Sequence, residues 1–261
     1  MSKIVLITGS NTGIGFEIVK ALAGSDQDYT ILMGGRSLEK VHDAITTAKK
    51  EFPSSASTFV PIQVDIEFDD SIDRAFAEVQ SKYGKVDALI NNAGAQFDLA
   101  TEQLGVREMW NRTWNVNTTG TQILTSTFAP LLLESSDPRL LFITSGTSTL
   151  AGTEDSAIPI NKVPPKGWPK TGLSLPAYRS AKTGLNMLMR EWHRWLKEDG
   201  VKVFAISPGF LATGLGGGPE VAKKMGALDP SVAGPFIRSV VEGQRDADVG
   251  KVLSRDGVQA W

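Results

Sequence analysis

Cysteine is missing altogether from the 261 residues, and histidine occurs only twice, at His42 and His193. Without a thiol there is no cysteine nucleophile, no disulfide framework and no zinc site built on thiolates. Two histidines fall short of a three-histidine metal site. A surplus of positive charge is missing too: 27 basic residues face 29 acidic ones, for a net charge of −2. A sequence-independent grip on nucleic acid needs a basic surface, so none is expected. No apolar run approaches the roughly 18 residues that span a bilayer. Met1-Ser2-Lys3 leads into only Ile4–Ile7 before Thr8, too short for the apolar core of a secretory leader. The expectation is a cytoplasmic protein without membrane attachment. Ser-His-Asp hydrolysis lacks support, because no Gly-x-Ser-x-Gly occurs and both histidines lie in helical, charged surroundings.

What is present is a core: 41% of residues are hydrophobic, and they alternate between two periods. Lys3–Thr8, Tyr29–Met33, Thr58–Val64, Val86–Ile90, Leu140–Thr144, Val201–Ile206 and Lys251–Ser254 are short, mostly apolar runs that read as strands. Between them, Ile14–Ala23, Leu38–Lys50, Ser71–Tyr83, a long zone from Glu102 to Glu134, Pro176–Asp199 and Ser231–Val241 carry helical spacing. Strands alternating with helices imply right-handed crossovers and a parallel sheet covered on both faces. The expected fold is one α/β domain over 1–261, a doubly wound parallel sheet of about seven strands of Rossmann type with helices on both faces. One stretch breaks the rhythm: 146–175, with Pro159, Pro164, Pro165, Pro169 and Trp168, has no period and reads as a long loop.

Thr8-Gly9-Ser10-Asn11-Thr12-Gly13-Ile14-Gly15 lies between the first strand and the first helix. There Gly9 permits a sharp turn, Gly13 lets backbone approach a pyrophosphate, and Gly15 lets the helix pack close to the sheet. The helix N-terminus offers free N–H groups and partial positive charge to phosphates. Its Gly-x-x-x-Gly-x-Gly spacing is joined by Asn91-Asn92-Ala93-Gly94, Tyr178-x-x-x-Lys182 and Pro208-Gly209 in fixed order. Together these segments resemble the short-chain dehydrogenase/reductase family across essentially the whole chain, and Asn11 in the loop is similar to carbonyl reductases within it.

That resemblance implies a nicotinamide cofactor held by Gly9, Ser10, Asn11, Thr12, Gly13, Ile14 and Gly15. Asp65 and Ile66 would meet the adenine, Asn91, Ala93 and Gly94 would flank the cofactor, and Pro208, Gly209, Phe210 and Thr213 would hold the carboxamide and phosphates. After the second strand an acidic residue would bond the ribose 2′-hydroxyl of NAD. The sequence instead has Gly34-Gly35-Arg36-Ser37. A guanidinium suits a phosphate dianion by charge and shape, so Arg36 and Ser37 point to NADP(H).

Residues four apart share a helix face, so Tyr178 and Lys182 can enter one pocket. A free phenol has a pKa of about 10, and a nearby ammonium lowers it, fitting Tyr178 to give a proton to a carbonyl oxygen or take one from an alcohol. By the resemblance, Ser145 bonds the substrate oxygen, with Thr144 and Ser148 as alternatives, and Asn117 anchors a proton relay, with Asn115 as its rival. The reading is an NADPH-dependent oxidoreductase, of carbonyl reductase or alcohol dehydrogenase type, acting on a small or medium apolar carbonyl compound. A dehydratase, isomerase or cyclase on the same fold, and a non-catalytic NADP-binding protein, are the alternatives.

Ser145 and Tyr178 stand 33 residues apart, against about a dozen commonly in the family. The inserted 146–175 loop is expected near the active site and 215–226 is expected to form a lid. Gln96, Phe97, Trp168, Leu173, Phe210 and Leu215 are the candidate substrate walls. Trp110, Trp114, Trp192 and Trp195 on the two long helices suggest a homodimer or homotetramer.

Overall fold

The computed structural model describes residues 2–261. Eight strands form one sheet: β1 (Lys3–Ile7), β2 (Tyr29–Gly35), β3 (Thr58–Gln63), β4 (Ala88–Asn91), β5 (Arg139–Ile143), β6 (Lys202–Ile206), β7 (Val252–Ser254) and β8 (Gly257–Val258). Their order is β3-β2-β1-β4-β5-β6-β7-β8. All pairings are parallel except the last, where Leu253 and Ser254 pair antiparallel with Val258 and Gly257. This is the expected doubly wound sheet, with one short antiparallel strand beyond the seven anticipated. Two polar-flanked residues after a tight turn carry no readable period, which is why β8 escaped the sequence.

Successive side chains along each strand point to opposite faces of the sheet, and both faces are buried. Leu6, Leu32, Leu89, Leu140, Phe142 and Val203 face α3 (Asp69–Tyr83), α6 (Gly120–Leu133) and α7 (Pro176–Leu196). Val5, Ile7, Ile31, Met33, Leu141 and Phe204 face α1 (Gly13–Ala23), α2 (Leu38–Glu51) and α9 (Ala233–Val241). Both faces are covered, so strands read as continuous apolar runs. On α7, Ala177, Ala181, Leu185, Met189, Trp192 and Leu196 form the buried stripe, and Pro176 takes the first helical position, where its missing N–H costs nothing.

The zone expected as one helix from Glu102 to Glu134 is divided. Gly105, at φ +75°, separates α4 (Thr101–Leu104) from α5 (Val106–Trp114). A π-helical turn, Asn115–Thr119, then joins α5 to α6. Such wide turns often mark functional positions, and this one contains Asn117. Trp114 packs on Gly184 of α7, where an added Cβ would stand 2.8 Å from the indole. Trp192 is 5% exposed and its Nε1 donates to Gln122 Oε1 at 2.8 Å. These two tryptophans are spent within the protein, while Trp195 is 53% exposed.

The order of strands reverses on either side of β1 and β4. Helices leave the sheet in opposite directions there and open a crevice at the carboxyl ends of the strands, the usual ligand position in such sheets.

Candidate active site

A cleft of about 690 Å³ occupies that crevice. One end is lined by Gly9, Asn11, Thr12, Gly13 and Ile14, with Arg36, Ser37, Asp65 and Ile66 beside them; the other end reaches Tyr178 and Lys182. The loop before α1 has the geometry its glycines suggested. Gly9 and Gly13 sit at φ +62° and +55°, a region other residues enter at a cost. A Cβ on Gly15 would stand 2.3 Å from the Gly9 carbonyl, so only glycine lets the helix begin there. Asn92, not anticipated, locks the loop: its Nδ2 donates to the carbonyls of Thr8 (2.8 Å) and Gly9 (3.1 Å). Ser10 is fully buried and its hydroxyl donates to Gly34 O at 3.2 Å, so it braces the turn from behind.

At the far edge, the Ser37 hydroxyl accepts the Lys40 N–H and caps α2. Arg36 and Lys40 line the cleft and neither forms an ion pair among the described residues. Lys40 was missed because a lysine at a helix start has no sequence signature of its own. Asp65 holds a local turn, accepting the Glu67 N–H at 3.1 Å. Asn91 lies below the cleft, 4% exposed, with Nδ2 donating to Thr125 Oγ1 at 3.0 Å. It ties β4 to α6.

Asn117 is fully buried. Its Nδ2 donates to Ala95 O at 2.6 Å and Thr113 O at 2.8 Å, and its Oδ1 accepts the Ala95 N–H at 3.3 Å. Asn115, the rival, does not line the cleft. Lys182, 4% exposed, donates from Nζ to Ile143 O at 2.9 Å and stands 5.9 Å from the Tyr178 ring centroid. Thr144 and Ser148 are engaged elsewhere: Thr144 Oγ1 donates to Asn186 Oδ1 at 2.7 Å, and Ser148 Oγ to Ser145 O at 2.6 Å. The Ser145 hydroxyl is shared with Thr147 Oγ1 at 3.0 Å and accepts the Thr147 N–H at 3.2 Å. Of the three candidates, Thr144 lines the cleft and Ser145 and Ser148 do not.

Burial pushes Tyr178 up to about 12; the Ser145 hydroxyl opposes this and the Asp98 charge adds to it. Burial also lowers Lys182 to about 8. Lys182 Nζ stands 5.9 Å from the Tyr178 ring centroid, and burial acts on both groups in the direction of their neutral forms.

The candidate substrate walls divide. Gln96, Phe97 and Leu215 line the cleft. Trp168 and Leu173 do not: they are 87% and 48% exposed, on a loop that stays outside. Phe210 is 54% exposed, and neither it nor Pro208 or Gly209 reaches the cleft wall, whereas Thr213 does. The loop docks beside the cleft instead, through Arg179, which donates to Thr147 O (3.3 Å) and Asn161 Oδ1 (2.9 Å). The expected lid has a closed base, with Leu228 N donating to Phe210 O and Ala212 N to Leu228 O, both at 2.9 Å. A short helix, α8 (Pro219–Lys224), forms its outer part. The cleft is more polar than an apolar substrate would ask. Both polar atoms of the Gln96 amide are buried without a partner, and the Arg112 guanidinium stacks 4.6 Å from the Phe97 ring centroid.

The sequence profile of the short chain dehydrogenase family matches residues 3–157 and 169–220, with its gap inside the inserted loop. The chain belongs to this family. It is 48% identical over 270 residues to the short-chain dehydrogenase/reductase eupG of a Phoma species, covering 99% of this chain and 97% of that protein. It is 47% identical to the short-chain dehydrogenase/reductase tropE of Talaromyces stipitatus, covering 98% and 96%. Among solved structures it is similar to an NADPH-bound carbonyl reductase from chicken fatty liver, with TM-score 0.78, 22% identity and coverage of 100% and 99%. An alcohol dehydrogenase from the archaeon Thermococcus sibiricus, complexed with 5-hydroxy-NADP, gives TM-score 0.77 at 22% identity, covering 99% and 97%.

Proposed function

We propose that the protein is an NADPH-dependent oxidoreductase that interconverts a ketone or aldehyde and the matching alcohol, with Tyr178 as general acid and base. The observation that carries this reading is one continuous cleft. It runs from the glycine loop and two unpaired cations, Arg36 and Lys40, to Tyr178 and Lys182, with Asn117 in the same wall. The cradle fits the cofactor: Gly15 admits no Cβ, and the acidic residue that would repel a 2′-phosphate is absent after β2. NADP(H) when bound supplies or accepts the hydride.

The chain's own residues handle the oxygen and the proton. Ser145 donates a hydrogen bond to the substrate oxygen and Tyr178 gives it a proton as the carbon is reduced. With the phenol near 12, that proton is in place throughout neutral pH, so reduction proceeds there. The reverse reaction needs the phenolate, so alcohol oxidation rises toward alkaline pH. Lys182 and Asn117 hold the floor of the site through Ile143 and Ala95.

NADPH oxidation across a ketone, aldehyde and quinone panel, with NADP+ reduction by alcohols, tests the proposal. Tyr178→Phe is expected to lose turnover by about 10³-fold or more while still binding NADPH. Unchanged turnover in this variant refutes the assignment, and NADPH binding without any turnover favours a non-redox or non-catalytic role. The exposed Trp195 and Met187 on α7 support self-association. Light scattering on the eluting peak should give a multiple of 28.1 kDa, and a monomer there defeats that part.

A further inference from the structure

Helix α7 carries both Tyr178 and Lys182, yet nothing in its own sequence fixes where it begins. The residue before it is Leu175, which offers no side-chain cap, and residues 162–174 upstream are all exposed. Pro176 has no N–H, which leaves Ala177 and Tyr178 as the first free donors of the helix. Both are satisfied from a remote segment. The Asp98 carboxylate accepts the Ala177 N–H at 2.9 Å through Oδ1 and the Tyr178 N–H at 3.1 Å through Oδ2. Asp98 is 8% exposed and no ion pair involves it among the described residues, so these N–H groups and the partial positive charge of the helix end are what compensate its burial.

The segment that holds Asp98 is itself fixed at both ends. Three residues earlier, Ala95 is bonded through its N–H and its carbonyl to the Asn117 amide. On the other side, the Thr101 hydroxyl donates to Asp98 O at 2.6 Å and Ala100 N–H to Phe97 O at 2.8 Å. The chain from β4 therefore connects Asn117 to the first turn of α7, and α7 presents Tyr178 one residue past its first satisfied donor.

We propose that Asp98 is the positioning residue of the site: it replaces the missing local cap, sets the start of α7, and so fixes where the Tyr178 side chain stands in the cleft. This rests on Tyr178 as the acid and base. Misplacing a reacting group by about 1 Å costs about 10²-fold in rate, and the frayed first turn of an uncapped helix moves by that much.

The experiment uses the full-length protein in four forms: wild type, Asp98→Ala, Asp98→Asn, and Asp98→Ala combined with Leu175→Asp. The added aspartate stands at the helix's own cap position, where it can accept the same N–H groups. Asp98→Ala is expected to lower kcat about 10- to 100-fold and to leave the NADPH dissociation constant within about threefold. Amide hydrogen exchange at Ala177–Arg179 should speed up in step, and Leu175→Asp should restore at least a fifth of the lost kcat. Asp98→Asn keeps one acceptor and should fall between. The inference is overturned if kcat stays within threefold of wild type in both single variants. It is also overturned if NADPH binding falls in parallel with kcat, if exchange at α7 is unmoved, or if Leu175→Asp restores nothing, including when Asp98→Ala alone fails to fold. Tyr178→Phe is measured alongside. If that variant keeps its turnover, the assignment of Tyr178 fails, a result that the exchange measurement on Asp98 does not share.

Discussion

At the scale of single residues, burial is the dominant force on the chemistry. Lys182 is held near 8 by loss of hydration, below the ordinary lysine value of about 10.4. A cation whose pKa is depressed on folding costs stability wherever the unfolded chain keeps its proton, so stability rises with pH between about 8 and 10.5 through this group. The cost below that window is on the order of 3 kcal/mol. Lys182→Met is therefore expected to raise the apo-protein's melting temperature at pH 7 and to flatten its rise toward pH 10, while turnover is lost; thermal melts across pH check this. Arg36 and Lys40 act in the open instead. A charge-assisted bond to phosphate contributes about 1.5–3 kcal/mol, so Arg36→Ala should weaken NADPH binding about 10- to 100-fold and NADH binding little. Lys40→Ala should add to it, and titration of both cofactors measures the difference.

At the scale of elements, close approach matters more than propensity. Helix α1 can begin where it does because Gly15 faces the Gly9 carbonyl, with room for no Cβ at 2.3 Å. Gly15→Ala should push the helix off the loop, destabilise the protein by about 1–3 kcal/mol and abolish NADPH binding in a fluorescence titration. Breaking the long zone at Gly105 and widening it at Asn115–Thr119 has the same logic. The wide turn carries Asn117, whose amide donates to the Thr113 carbonyl one turn back at 2.8 Å. Periodicity reads the apolar stripe of such a stretch correctly and is blind to one residue of extra winding.

At the scale of the whole molecule, the inserted loop is an addition to a complete domain. Its residues 162–174 are exposed, the family profile skips 158–168, and the cleft is lined without Trp168 or Leu173. Replacing residues 162–172 by a short Gly-Ser link should change loop-closure entropy by less than about 1 kcal/mol, so the melting temperature and NADPH affinity should stay close to wild type. A collapse of either in calorimetry or titration would mean that the loop supports the fold. No described helix is long and apolar enough to cross a membrane.

Residue order alone determined the alternating strands and helices, the glycine loop, Tyr178 with Lys182, and the cation after β2. Each rests on a local rule: period, φ freedom, spacing on one helix face, or the charge a phosphate needs. Only the tertiary structure decided which partners hold Thr144, Ser145 and Ser148, that Tyr178 and Lys182 are both buried enough to favour their neutral forms, and that Trp168 stays outside. Those outcomes depend on partners far along the chain. The clearest case is Asp98, which meets the N–H of Tyr178 across 80 residues, because a hydrogen bond depends on position in space, and sequence distance does not enter it.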